Sequence, residues 1–328
     1  MRYLGVDVSK DKLDCCLLVD AGGSKRKNKV VTNGTTGLQS LLTWLSKEGL
    51  SPEDVHVVME GTGVYHQLAA ETLHDAHVNV SIVNPAQVKD FGRGLAVRTK
   101  NDTKDSYVLA RFGALLQPSL WVAPPIHARQ LQAYIGRLDA LKKDIQREQN
   151  RREKTMVEGA PLDVLASIDE TLAFLQQQEA KLRKKINDHI KKYPDLGDDL
   201  KLLESIPGVG PEVGQHMLSV MHNRQFQAAE QLAAYLGLVP VERQSGSSLH
   251  GRPKLSKAGP RSIRSLLYLP AVTAKRCNPH VRALCERLAA RGKNPKAIVG
   301  AAMRKLVHLC FGVLKTRTPY TEDQGQLA

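Results

Sequence analysis

Two apolar runs near the start of the chain each carry an acid at the end that would reach a sheet's edge. Tyr3-Leu4-Gly5-Val6-Asp7-Val8 reads as a first β-strand containing Asp7. Val55-His56-Val57-Val58-Met59-Glu60 reads as another, ending in Glu60 and followed by Gly61-Thr62-Gly63. Charged groups at the ends of buried strands are costly unless something compensates them. Asp102 and Asp105 follow on a segment that reads as helix, three residues apart and so on one face. Singly, each acid has an ordinary explanation: a turn cap, an ion pair, or a favourable charge in a helix's first turn. Together they are a set of hard oxygen ligands for a divalent cation. Two such ions can clamp the attacking and leaving oxygens of a phosphodiester. Asp11, Asp14, Asp54 and Asp75 lie close in sequence and compete for the same role.

Around these acids the pattern runs strand (Tyr3–Val8), strand (Leu13–Asp20), strand (Lys29–Thr32), helix (Gly37–Lys47), strand (Val55–Glu60), helix (Tyr65–Ala76), strand (Asn79–Val83), and a long helix from Asp102 to Leu116. Three strands followed by alternating helices and strands predict an α/β domain with a mixed sheet over residues 1–125. Ser9-Lys10-Asp11-Lys12 and Ala21-Gly22-Gly23-Ser24 fit its two hairpin turns. Pro124-Pro125 marks a linker.

Residues 126–193 carry two amphipathic runs, Leu131, Tyr134, Leu138, Leu141, Ile145 and Leu165, Ile168, Leu172, Leu175, Leu182, separated by Gly159-Ala160-Pro161. They fit a helical hairpin or, the reading preferred here, a dimerising coiled coil. Residues 194–328 are expected to be mostly helical. Leu203-Glu204-Ser205-Ile206-Pro207-Gly208-Val209-Gly210-Pro211 has the pattern of a helix-hairpin-helix turn, where backbone N–H groups near Gly208 and Gly210 can hold a phosphate; a tight structural turn fits as well.

The chain is basic, with a net charge of +14 over 328 residues. The excess is concentrated: Val241–Ala328 holds 17 Lys and Arg against 4 Asp and Glu. This predicts a polyanionic partner and salt-dependent binding. Aromatics are only 5%, which disfavours a base-stacking platform. Arg243-Gln244-Ser245-Gly246-Ser247-Ser248-Leu249-His250-Gly251-Arg252 is a Gly/Ser loop. It reads as a flexible surface loop or as a serine nucleophile flanked by Arg243, Arg252 and Lys254. Lys257, Arg261 and Arg264 follow as candidate phosphate contacts. The five cysteines lack CxxC spacing, so a reducing compartment and no zinc site are expected. No apolar run reads as long enough to span a bilayer, and strand one leaves no room for a signal peptide, so a cytoplasmic protein without membrane contact is expected.

These motifs, in this order, resemble the transposases of bacterial insertion-sequence family one-ten, relatives of the Piv-type DNA invertases. The likeness is carried by Gly5-Val6-Asp7, Met59-Glu60-Gly61-Thr62-Gly63, Asn84-Pro85, Lys100-Asn101-Asp102-Thr103-Lys104-Asp105, Glu204-Ser205-Ile206-Pro207-Gly208-Val209-Gly210, Ser245-Gly246-Ser247-Ser248 and Ser256-Lys257-Ala258-Gly259. The resemblance implies a RuvC-like, ribonuclease-H-type domain whose Asp7, Glu60, Asp102 and Asp105 bind Mg²⁺ or Mn²⁺. It implies a C-terminal transposase domain with Ser245 as nucleophile, forming a phosphoserine link to DNA. It also implies a structured bridge RNA that pairs with target and donor DNA, and a homo-oligomer, a dimer or a tetramer at synapsis. The competing readings are a metal-dependent structure-specific nuclease of Holliday-junction-resolvase type, and a non-enzymatic nucleic-acid-binding scaffold.

Overall fold

The computed structural model describes the whole chain except residues 21–24, 62, 64, 95–101, 242–243, 246–248, 251–253, 258 and 323–328, and the side chains of 102, 103, 244, 245, 249 and 250. The second hairpin turn, 21–24, therefore lies outside the described residues. The chain divides into two compact units, Met1–Ala123 and Pro124–Ala328.

In the N-terminal unit, β1 (Arg2–Val8), β2 (Lys12–Leu18) and β3 (Arg26–Thr32) are followed by α1 (Thr35–Lys47), β4 (Val55–Glu60), α2 (His66–Asp75), β5 (Asn79–Val83), α3 (Pro85–Gly94) and α4 (Asp102–Leu116). The sheet order is β3-β2-β1-β4-β5. β1 pairs antiparallel with β2 and parallel with β4, and β4 pairs parallel with β5. This is the expected mixed sheet. The first turn closes as predicted, with Ser9 N–H donating to the Lys12 carbonyl at 3.0 Å.

Alternation along the strands sends side chains to two faces. Leu4, Val6, Val57 and Met59 meet Leu38 and Leu41 of α1 and Ala69, Ala70 and Leu73 of α2 in one core. On the other face Val58 and Val83 pack with Val88 of α3 and Val108, Leu109 and Phe112 of α4. The edges are treated differently. At β5 the chain beyond α4 lies alongside: Trp121 N–H donates to the Val80 carbonyl at 2.7 Å, and Ser81 Oγ donates to the Ser119 carbonyl at 2.8 Å. β3 forms the opposite edge and carries exposed Arg26, Lys27 and partly exposed Lys29.

The C-terminal unit opens with α5 (Ile126–Val157) and α6 (Leu162–Lys192), then α7 (Pro194–Glu204), α8 (Pro211–Asn223) and α9 (Ala229–Tyr235). Four two-residue strands follow: β6 (Pro240–Val241), β7 (Gln244–Ser245), β8 (Leu249–His250) and β9 (Lys254–Leu255). The unit ends with α10 (Arg261–Cys277), α11 (Pro279–Ala290) and α12 (Pro295–Thr316). α5 folds back on α6 through a closed helix end, in which Ala160 N–H reaches the Thr155 carbonyl and Gly159 N–H the Met156 carbonyl, both at 3.2 Å. The apolar stripe read as a dimer seam is thus used within the chain. Leu131, Ile135 and Leu138 share the main core with Ile186, Ile190 and the helices that follow, while Ile145, Ile168 and Leu172 form a small cluster farther out.

α12 corrects one expectation. By length and composition it is apolar enough to cross a membrane. Most of it is buried, with Val299, Ala302, Leu306, Val307 and Cys310 in the main core. A helix packed on several sides is apolar over much of its circumference, and its burial in the core accounts for that composition.

Candidate active site

The site is built by one close crossing. A methyl group on Gly5 would stand 1.9 Å from the Ser106 carbonyl oxygen and 2.4 Å from the Ala110 nitrogen. One placed on Gly113 would stand 2.9 Å from the Tyr3 ring and 2.6 Å from Val58. Thus α4 lies directly on β1 and β4 and runs antiparallel to β1. Moving two residues along the strand, about 6.7 Å, corresponds to slightly more than one helical turn of about 5.4 Å. Tyr3 faces Gly113 and Gly5 faces Ser106 to Ala110, so Asp7 faces the first turn of α4. That turn begins at Asp102 and includes Asp105.

Glu60 joins the same face. Tyr3 is paired with His56 and Gly5 with Val58 across the parallel ladder. The next pair in that register is Asp7 with Glu60, at the carboxyl ends of adjacent strands. Asp7, Glu60 and Asp105 are all half-buried; the Asp102 side chain lies outside the described residues. Asp14, directly opposite Asp7 in the antiparallel ladder, is a further acid on this face. It is buried and pairs with Lys12 at 3.0 Å. The sequence contained it, but only the β1–β2 register reveals its neighbour. The donors are carboxylate oxygens, the chemistry that fits a hard divalent cation such as Mg²⁺ or Mn²⁺.

The predicted residues of the C-terminal unit fall in two places. Ser245 ends β7 and is paired with Leu249 of β8; its side chain, and Arg243 and Arg252, lie outside the described residues. Lys254 is exposed on β9, paired with Val241. Lys257 and Arg261 are exposed. Arg264 is less free, because its Nη1 donates to the carbonyls of Leu236 at 3.2 Å and Gly259 at 3.1 Å. The Gly208 turn joins α7 to α8 against α10: Gly208 has φ +99°, and a methyl there would stand 2.8 Å from Ala274. Packing alone therefore requires that glycine. Gly210 caps α8, with open space where a side chain would be.

Two family models match the chain: one described as transposase, named for the acidic domain of IS110, over residues 4–161, and one described as "Transposase IS116/IS110/IS902 family" over residues 200–286. The pilin gene-inverting protein of Moraxella lacunata is 30% identical over 320 residues, covering 97% of both chains. The chain belongs to the IS110/IS116/IS902 transposase family. The pilin gene-inverting protein of Moraxella bovis is 29% identical, again over 97% of both chains. A solved structure of T. thermophilus RuvC in complex with a Holliday junction substrate matches 35% of this chain and 93% of that one, at 17% identity and a TM-score of 0.27.

This transposase is an enzyme of DNA strand cleavage and rejoining, and DNA is its partner. Its acidic domain is of the class that employs a divalent metal. The mixed sheet with acids at adjacent strand ends and the helical second part are the fold read from the sequence.

Proposed function

We propose that this transposase is an RNA-guided DNA recombinase that works through a phosphoserine at Ser245. The observation that carries the acidic half of this reading is that Asp7 and Glu60 end neighbouring parallel strands beneath the first turn of α4. Asp7, Glu60, Asp102 and Asp105 would hold Mg²⁺, or Mn²⁺ in its place. Such an ion, when bound, neutralises charge on a phosphoryl oxygen and lowers the pKa of a nearby hydroxyl. Ser245 Oγ forms a bond to phosphorus; the bond from phosphorus to the 3′ oxygen breaks, and that oxygen takes up a proton. The 5′ end stays on the protein as a phosphodiester, so its bond energy is conserved. The 3′ hydroxyl of another strand then attacks the phosphoserine and releases the serine, which exchanges strands instead of hydrolysing them.

A bridge RNA pairing with target and donor DNA chooses the sites in this reading. The +13 stretch after Pro240 supplies phosphate contacts for either nucleic acid. Assembly into a dimer, and a tetramer at synapsis, is supported by exposed apolar side chains at the outer end of the α5–α6 hairpin: Val157 is 84% exposed, Leu162 83% and Phe174 59%. The reaction takes place where the DNA is, in the bacterial cytoplasm.

The deciding experiment traps the reaction and maps the adduct. Covalent attachment of a DNA 5′ end at Ser245, lost in Ser245→Ala while nucleic-acid binding persists, is the expected outcome. Metal-dependent cutting that continues in Ser245→Ala, with no adduct at any residue, would replace this reading with a nuclease that uses water.

A further inference from the structure

The C-terminal unit holds a group of metal-ligating side chains that the strand-cutting chemistry does not use. His127 stands in the first turn of α5, Asp195 in the first turn of α7 and His222 in the last turn of α8. One possible ligand atom from each lies within 4.8 Å of the other two. Nε2 of His127 is 2.9 Å from Oδ2 of Asp195. Nε2 of His222 is 2.8 Å from Oδ2 of Asp199, a buried carboxylate that also accepts from Arg317. Asp199 thus leaves Nδ1 as the other ring nitrogen of His222.

The surroundings hold these side chains in place without an ion. Asn223 Nδ2 donates to the Ala128 carbonyl at 2.7 Å, tying the end of α8 to the start of α5. His189 Nε2 donates to the His127 carbonyl at 2.8 Å. The Tyr193 ring stacks on His127, with centroids 4.7 Å apart. An ion pair between His127 and Asp195 is worth little at this exposure, 21% and 46% for the two side chains. His222, held on its other side by Asp199, brings a second imidazole within 4.8 Å of the same carboxylate. Two imidazoles and a carboxylate from three helices are instead a ligand set that a first-row divalent ion uses.

We propose that His127, Asp195 and His222 bind one such cation, with Zn²⁺ preferred, joining the starts of α5 and α7 to the end of α8. Asp199 behind His222 is the outer carboxylate that fixes a ligand imidazole's orientation and tautomer. The fourth coordination position is left to solvent. The acids of the N-terminal unit offer oxygen only and suit a hard ion, whereas this set mixes nitrogen and oxygen and suits a borderline one. Cysteine spacing predicts no zinc site; in this proposal histidines far apart in the chain supply the ligands instead.

The test uses the full chain carrying Asp7→Asn and Asp105→Asn, so that the acidic set contributes little. Metal-free protein is dialysed against Zn²⁺, and separately titrated with Co²⁺ while visible absorption is followed. One equivalent of Zn²⁺, the strong visible bands of four-coordinate Co²⁺ and a higher Tm with Zn²⁺ are expected. Adding His127→Ala and Asp195→Asn should weaken Zn²⁺ binding at least tenfold and abolish the Co²⁺ bands. Both positions are partly exposed, so the metal-free Tm and far-UV circular dichroism should hold. Failure of the parent protein to bind Zn²⁺, or equal affinity in the added variant, overturns the site. Should the pair of changes disturb folding, Asp195→Asn alone, at the most exposed ligand, decides by the same two readouts.

Discussion

Gly5 sets the acid geometry although it has no side chain. Its Cα lets α4 approach β1 closely enough for the first helical turn to stand over Asp7. Gly5→Ala forces the helix outward. We expect a loss of about 1–3 kcal/mol in chemical denaturation, as for other overpacked contacts, and a larger loss in strand cleavage than in DNA binding. Asp105→Asn keeps shape and removes charge, so strand cleavage should disappear while the denaturation midpoint and nucleic-acid binding barely change; the same holds for Asp102→Asn. Wild-type recombination by both in Mg²⁺ would remove these residues from the site. His56 is a different kind of residue, buried on the α4 face with Nε2 2.7 Å from Ser81 Oγ. Burial holds its imidazole below the ordinary value of 6.5. The unfolded chain therefore takes up this proton first as pH falls. The neutral-His contribution is intact above about 6.5 and declines below it, toward the folded-state value, by at most about 1.4 kcal/mol per pH unit. His56→Gln should flatten that part of the stability–pH curve; an unchanged slope would assign it to other groups.

Among the elements, most strands and helices were legible because apolar alternation and helical spacing are local signals. β4, β5 and α4 begin and end where the sequence predicts. α3 is not among the elements that the sequence pattern predicts, although its start is written in Asn84-Pro85: Asn84 Oδ1 accepts from Ala86 N–H at 2.9 Å and proline opens the helix. Only Val88 of α3 is buried, so the periodic signal was weak. The convergence of Asp7, Asp14 and Glu60 on one face could not be read at all, since it depends on strand register and on which helix covers which face. The same is true of His127, Asp195 and His222, which no short spacing links. In the α5–α6 hairpin, spacing alone did not distinguish a seam within the chain from one between chains. At about 48 Å for its 32 residues, α5 carries its outer apolar residues far along the hairpin. Replacing Phe174 and Leu162 with Asp should turn oligomers into monomers in light scattering without changing helix content. An unchanged mass would place the contact elsewhere.

For the molecule as a whole, charge is the property that composition conveys most directly. Each phosphate neutralised releases counterions, so the logarithm of affinity should fall with the logarithm of salt by about 0.7 to 0.9 per contact. The full chain should show a steep line with both RNA and duplex DNA; a flat response would remove the basic C-terminal stretch as a backbone-binding surface. Cationic residues also have a consequence at the far side of the sheet. β5 is flanked by its own chain, whereas β3 is the outermost strand of the sheet among the described residues. Binding to DNA raises a protein's local concentration, and that is when open strand margins zip together into aggregates. Arg26 and Lys29, on either side of a Lys27 that is paired with Glu48, make each margin repel its twin, so crowding on DNA need not become precipitation.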